Sequence, residues 1–174
     1  MTRIAITGAN GFIGRALARQ LDAMPGITPV EIVRATPPSP IVDLHTVGEI
    51  GPDTQWREAL ANVDTVVHLA GRAHVQPEAS GDPMAIFRQI NVAGTLRLAE
   101  QAIEAGVKHL IFISSIGVNG PETFGAPFTE ADSPNPAAPY ACSKLEAEEA
   151  LWSCVRGSAM SVTIVRPPLV YGPD

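Results

Sequence analysis

The stretch ITGANGFIG, residues 6–14, decides how the whole chain is read. Gly8, Gly11 and Gly14 stand three apart, between the β-branched run RIAIT at 3–7 and an amphipathic run that opens at Phe12. A chain gives up side chains where its backbone turns tightly or is approached closely. At a strand-to-helix turn of an open parallel sheet, one glycine makes the turn and a second lets the backbone meet a pyrophosphate. The third lets the helix pack on the strand. The unpaired N–H groups that open the helix, with its dipole, attract the anion. A glycine triplet alone also fits a tight turn with no ligand; the strand before it and the helix after it favour the phosphate reading.

Working outward from that turn, short apolar runs alternate with helical patterns. In GFIGRALARQLDAM, Phe12, Ile13, Ala16, Leu17 and Leu21 fall on one face at helical spacing. TPVEIVR (28–34) reads as a second strand, and PPSPIVDL holds a short third strand ending near Asp43. DTQWREALANV reads as a helix capped by Asp53 or Thr54. DTVVHLAG (64–71) and VKHLIFISS (107–115) are strands of the fully buried kind. Between them PMAIFRQINVAGTLRLAEQAIEAG forms a long helix stopped by Gly106. Residues 117–139, rich in Gly and Pro, form a loop. PYACSKLEAEEALWSCVR is a helix with Pro139 in its first turn, and MSVTIVRP (160–167) is the last strand. Strand and helix in alternation predict an α/β fold, a doubly wound parallel sheet of the Rossmann type with helices on both faces and right-handed crossovers. Residues 1–174 form one domain.

The bulk numbers agree with that. Of 174 residues, 45% are hydrophobic and 17% charged, the balance of a folded domain. The net charge of −6, with no block of Lys or Arg, argues against nucleic acid and anionic membranes as partners. The first ten residues show no apolar core of a signal peptide, and no apolar run approaches the roughly 18 residues of a membrane span. Cys142 and Cys154 lie 12 residues apart on one helix, about 18 Å along its axis, and cannot pair. That suits a reducing cytoplasm. His45, His68, His74 and His109 have no metal-ligand spacing, so no metal is expected.

A second constellation carries the chemistry. YACSK places Tyr140 and Lys144 four apart, on one face of a helix. An ammonium beside a phenol stabilises the phenolate and brings the tyrosine down from about 10 towards neutrality, into the range of a general acid or base. Ser114 and Ser115 follow a buried strand, at the carboxyl edge where such sheets bind ligands. Glu146, Glu148 and Glu149 read as the solvated side of the Tyr–Lys helix.

These pieces together resemble the extended short-chain dehydrogenase/reductase family, the nucleotide-sugar epimerases and dehydratases. The matching segments are TGANGFIG, DL at 43–44, HLAG at 68–71, NVAGT at 91–95, SSIGVNG at 114–120, YACSK at 140–144 and RPPLVYGP at 166–173. The resemblance implies that Gly8, Gly11 and Gly14, with Phe12 and Ile13, hold the pyrophosphate of NAD(P). Asp43 and Leu44 would lie beside the adenine, with Leu69, Ala70, Gly71 and Pro167 along the cofactor. Asn91 matches a structural asparagine, and Ser115, Tyr140 and Lys144 match the catalytic triad. Tyr140 would take a proton from a sugar hydroxyl, Ser115 would hydrogen-bond the reacting oxygen, and Lys144 would hold the nicotinamide ribose. The implied function is that of a UDP-hexose 4-epimerase.

Three departures bear on that function. A dehydratase of this family carries Asp-Glu after the catalytic Ser or Thr, whereas Ile116 and Gly117 follow Ser115. The slot for a ribose-binding acid after the second strand holds Arg34, which suits either the 2′-phosphate of NADP or a solvated position. Asn119 stands where a tyrosine is common, as in members acting on UDP-N-acetylhexosamines. An NADPH-dependent 4-keto-sugar reductase and a non-catalytic dinucleotide-binding domain therefore stay open. Family members continue past VYGPD with a region that grips the sugar nucleotide. The expectation is a truncated cofactor-binding part that turns over sugar poorly. In related proteins the helices at 83–106 and 139–156 form a homodimer bundle; Leu145, Leu151 and Trp152 suit that bundle or the core equally.

Overall fold

The computed structural model describes residues 1–36, 43–74, 82–123 and 125–173. Six strands form one parallel sheet: β1 (Thr2–Thr7), β2 (Ile27–Val33), β3 (Leu44–Thr46), β4 (Thr65–His68), β5 (His109–Ile113) and β6 (Ser161–Val165), in the order β3-β2-β1-β4-β5-β6. Thr7 at the end of β1 is in register with Ile32 on one side and His68 on the other. The order reverses between β1 and β4, and a doubly wound sheet opens its ligand crevice at that point.

Helix α1 (Phe12–Asp22) covers one face of the sheet over a small cluster of Ile6, Ala9, Ala18 and Val33. The larger core lies on the other face. There α3 (Gly94–Glu104) and α4 (Pro139–Cys154) pack Leu98, Ala102, Ala147 and Leu151 against Val30, Val66, Leu110 and Phe112. Burying these side chains supplies the main stabilisation, about 1.5–3 kcal/mol for each fully covered large aliphatic or aromatic residue.

Several expectations need correction. The buried stripe of α1 is Gly14, Leu17, Ala18 and Leu21, while Phe12 and Ile13 are 38% and 36% exposed. Gly14 decides this. A Cβ there would collide with the Gly8 carbonyl oxygen and sit 2.8 Å from Ala9 Cα, so Gly14 lies against the turn that follows β1 while Phe12 and Ile13 point outward. The third strand begins after Asp43 rather than ending there, since the Asp43 φ of 64° cannot belong to a strand. The rest of the segment expected to hold it, residues 37–42, lies outside the described residues.

Residues 53–63 form successive turns instead of a helix, with Leu60 bonded to Trp56 and Val63 to Leu60. Thr54 folds its hydroxyl back onto the Gly51 amide and the Glu49 carbonyl, and Asn62 at φ 59° ends the run. The buried Gln101 side chain takes the Trp56 amide and donates to the Thr54 carbonyl, replacing the bonds a helix would have made.

The long helix at 83–106 is present but not uniform. It consists of α2 (Pro83–Phe87), a π-helical turn at Arg88–Ala93, and α3, and it stops at Gly106 with φ 78°. No described helix is long and apolar enough to cross a membrane.

Candidate active site

The carboxyl ends of β1, β4, β5 and β6 line one groove with the glycine turn at its centre. The Gly8 amide donates to the Ile32 carbonyl at 2.9 Å, and Gly11 donates back to the Gly8 carbonyl at 2.9 Å. Gly8 has φ 69° and its missing Cβ would stand 3.1 Å from the Ala70 backbone, so the turn at β1 presses against the loop after β4. Helix α1 opens at Gly11 with no side-chain cap and no acid in its first turn. The amides of Phe12, Ile13 and Gly14 therefore have neither an intrahelical partner nor a competing carboxylate. This cradle fits a diphosphate.

On one side of the turn the groove runs to Arg34, Val47, Glu49, Ile50 and Arg72. Arg34 pairs with Glu49 at 3.4 Å, both side chains well exposed. Asp43 and Leu44 are not here. Asp43 binds Arg3 at 2.8 Å at the amino end of β3, and Leu44 packs under α1. The resemblance put them beside the adenine, but they stand at the amino end of β3, whereas ligands sit at the carboxyl end of a parallel strand; beyond that end of β3, Glu49 and Ile50 line the groove. The Pro-rich segment before Asp43 hid where the strand begins.

On the other side the groove is lined by Leu69, Gly71, Ser115, Tyr140, Lys144 and Pro167, with Phe12 and Ile13 at the rim. Ala70 lines the arm towards Arg34. Buried polar groups fix this region. The Ala70 amide donates to Thr7 Oγ1 at 3.2 Å, and Thr7 lies 2.6 Å from His68 Nδ1. The other ring nitrogen, Nε2, lies 3.0 Å from Thr95 Oγ1, so both nitrogens have a hydroxyl partner. Burial, then the nearby Lys144 charge, pushes His68 down to about 3, so the ring is neutral. Asn91, set in the π-helical turn, grips the Arg72 backbone on both sides and donates to Ser143, which donates to the Tyr140 carbonyl. One buried asparagine thus ties the β4 loop to α4.

Ser115 caps a 3₁₀ turn at Ile116–Val118, its Oγ accepting from the Gly117 amide at 3.2 Å. Tyr140 stacks edge-on against Phe87, with 6.1 Å between centroids. Lys144 is 4% exposed and holds its Nζ 3.9 Å over the centre of the Phe112 ring. Burial drags it down to about 7 against the opposing pull of Glu148. The expected lowering of Tyr140 does not appear in this geometry. Burial raises the phenol, and the ammonium packs over Phe112.

Glu148 corrects a further expectation. It lies in the interior, 3% exposed, where the charge pattern predicted a solvated face. Ser114 Oγ donates to Oε1 at 2.5 Å, and Arg166 forks onto both oxygens at 3.0 and 2.6 Å. Arg166 also donates to Asn119 Oδ1 at 3.1 Å. The spacing held a signal for this: 140, 144 and 148 recur at four, on one stripe of α4. Glu146 pairs on the surface with Arg88 at 2.7 Å. Leu151 belongs to the core, whereas Trp152 is 51% exposed.

The family model described as the NAD dependent epimerase/dehydratase family matches residues 4–174. UDP-glucose 4-epimerase of Vibrio cholerae is 42% identical over 171 residues, 98% of this chain and 52% of its own length. GDP-6-deoxy-D-mannose reductase of Pseudomonas aeruginosa is 33% identical over 175 residues, 98% of this chain and 53% of its own. Among solved structures, MoeE5 in complex with UDP-glucuronic acid and NAD superposes with a TM-score of 0.79 at 31% identity, over 94% of this chain and 54% of that one. The chain thus spans about half the length of these relatives.

Proposed function

Since the chain belongs to the NAD-dependent epimerase/dehydratase family, we propose that it is the dinucleotide-holding part of a nucleotide-sugar 4-epimerase acting on a UDP-linked hexose. The observation that carries this reading is one wall of one groove. Ser115, Tyr140 and Lys144 line it, and the uncapped start of α1 lies across from them. The amides of Phe12, Ile13 and Gly14 would hold the pyrophosphate, the backbone of Leu69–Gly71 and Pro167 would flank the cofactor, and Glu49 and Ile50 would meet the adenosine.

A bound nicotinamide dinucleotide would supply the hydride acceptor and donor for the sugar C4. The protein's part is proton transfer and orientation. Tyr140 takes the C4 hydroxyl proton and gives it back. Ser115 donates a hydrogen bond to the same oxygen. Lys144 binds ribose hydroxyls. Glu49 offsets the charge of Arg34 at the adenosine end, which favours NAD over a 2′-phosphorylated cofactor. The outward face of α4 around Trp152 would serve a homodimer.

A second reading, an NADPH-dependent 4-keto-sugar reductase, is favoured by Arg34 and by the 33% identity to a GDP-sugar reductase. The test is to titrate the chain with NAD+ and NADP+, then add UDP-glucose and follow both nicotinamide absorbance and UDP-galactose. Epimerisation with no net change of cofactor supports the first reading, and stoichiometric oxidation of NADPH by a 4-keto sugar supports the second. Failure to bind either dinucleotide overturns both.

A further inference from the structure

Residues Tyr140, Lys144 and Glu148 recur every four positions along α4, giving a stripe of phenol, ammonium and carboxylate. Arg166 extends that stripe with a guanidinium beyond the end of β6. A buried ion pair adds little to stability compared with well-packed apolar side chains, so its stability alone does not account for it. Its placement does.

The Glu148 carboxylate meets Ser114, the residue before Ser115, and Arg166, the residue before Pro167. Those two chain segments are joined by backbone bonds, Ser114 N–H to the Val165 carbonyl at 2.7 Å and Ile116 N–H to the Pro167 carbonyl at 2.9 Å. Arg166 also reaches Asn119 on the far side of the 3₁₀ turn, and Asn119 donates to the Thr129 carbonyl. One carboxylate on the helix bearing Tyr140 and Lys144 therefore clamps both strand ends that flank Ser115.

We propose that Glu148 is a positioning residue of this site: through Ser114 and Arg166 it sets the Ser115 turn against α4, in line with Tyr140 and Lys144. This rests on the functional reading above for the roles of those three residues. The surroundings of Lys144 agree. From β4 it faces the neutral His68 and from β5 the Phe112 ring; on its own helix stand Tyr140 and Glu148. Glu148 is the anion that opposes loss of its proton, while Arg166 is held off by its own bonds to Glu148 and Asn119.

The test is NMR on the 174-residue chain. Its lysines are Lys108 and Lys144 alone, so Lys108→Arg identifies the Lys144 signal. In Glu148→Gln the Lys144 titration midpoint should fall by about one pH unit, the scale of losing one nearby opposite charge. Amide exchange at Ile116 and Gly117 should quicken about tenfold as that turn opens more often. A folded Glu148→Gln chain with both readouts unchanged overturns the proposal. Ser114→Ala removes one hydroxyl and keeps the charge, so it decides the matter should Glu148→Gln not fold. Faster exchange at Ile116 and Gly117 with an unmoved Lys144 midpoint supports the clamp, and unchanged exchange overturns it. The functional reading stands or falls separately, on dinucleotide binding by the unaltered chain.

Discussion

The two arms of the groove are built on opposite principles. The arm around the glycine turn works by subtraction. Side chains are absent at Gly8, Gly11 and Gly14, the first-turn amides are uncapped, and the charges nearby, Arg34 and Glu49, are in solvent. The arm at β5, β6 and α4 works by enclosure, with Lys144, Glu148, Ser143 and Asn91 all under 5% exposed and bonded or packed in fixed places. Holding a diphosphate takes backbone N–H groups that a ligand can reach. Moving a proton takes titratable groups whose surroundings set their affinity for it.

The sharpest way to break that contrast is Tyr140→Phe. If the enclosed arm does the chemistry, hydride transfer from sugar nucleotide to NAD+ should fall by about 10²–10⁴-fold, the usual worth of a general acid–base. Dinucleotide affinity, measured by quenching of tryptophan fluorescence, should hardly move. Equal rates in the two proteins would show that the phenol is a bystander. Next in size is Leu151→Ala, which opens a cavity beneath the same helix. Thermal unfolding should show a loss of about 2–5 kcal/mol, and a change below 1 kcal/mol would mean that α4 is not anchored by its core face.

On the subtractive arm, Gly14→Ala places a methyl against the Gly8 carbonyl oxygen. It should cost roughly 1–3 kcal/mol as α1 shifts and weaken NAD+ binding, while amide shifts at Ser115 and Lys144 stay put. Spread of the perturbation to α4 would contradict the separation of the two arms.

A pH series reads the enclosed arm again. His68 drops from its ordinary 6.5 to about 3 on folding, so between those values the unfolded chain binds the extra proton. Stability contributed by neutral His68 is complete above pH 6.5 and is lost as pH falls towards 3, by up to about 1.4 kcal/mol per pH unit. His68→Gln should flatten the dependence of the melting temperature over that interval. The smallest effect is expected from Arg34→Ala. An exposed ion pair is worth about 0–1 kcal/mol, so NAD+ affinity should stay within a few-fold. A large selective loss of NADP+ binding would instead give the arginine a phosphate to hold.

The same contrast explains what could be read from the sequence. Strands β1, β2, β4 and β5 show as β-branched or apolar runs because neighbouring strands and helices cover them, and β6 shows by the same composition although Ser161, Thr163 and Val165 are exposed on one face. The glycine turn shows because what it lacks is visible letter by letter, and the Tyr140–Lys144 pair shows as a spacing. Glu148 showed only as the third step of the spacing 140, 144, 148, and its composition pointed the other way. Three glutamates within four positions have the composition of a wet surface, and only Ser114 and Arg166, 34 residues before it and 18 after, make one of them buried. The run at 53–63 failed for a related reason, since its helix-like pattern of Trp56, Leu60 and Val63 is satisfied by turns once the distant Gln101 supplies the missing bonds. Asp43 was misplaced because a two-letter match says nothing of which end of a strand it occupies.

The π-helical turn at Arg88–Ala93 has a consequence for how this chain can vary. It carries one residue more than an α-helix needs, and each residue advances the winding by about 100°. Closing this turn to regular α-helix with every residue kept would rotate its two halves out of phase by that angle. Either Asn91 would leave the Arg72 backbone or Thr95 would leave His68. The wide turn thus absorbs a surplus residue and keeps two polar anchors in phase, and tightening it would uncouple them even if every apolar contact were kept.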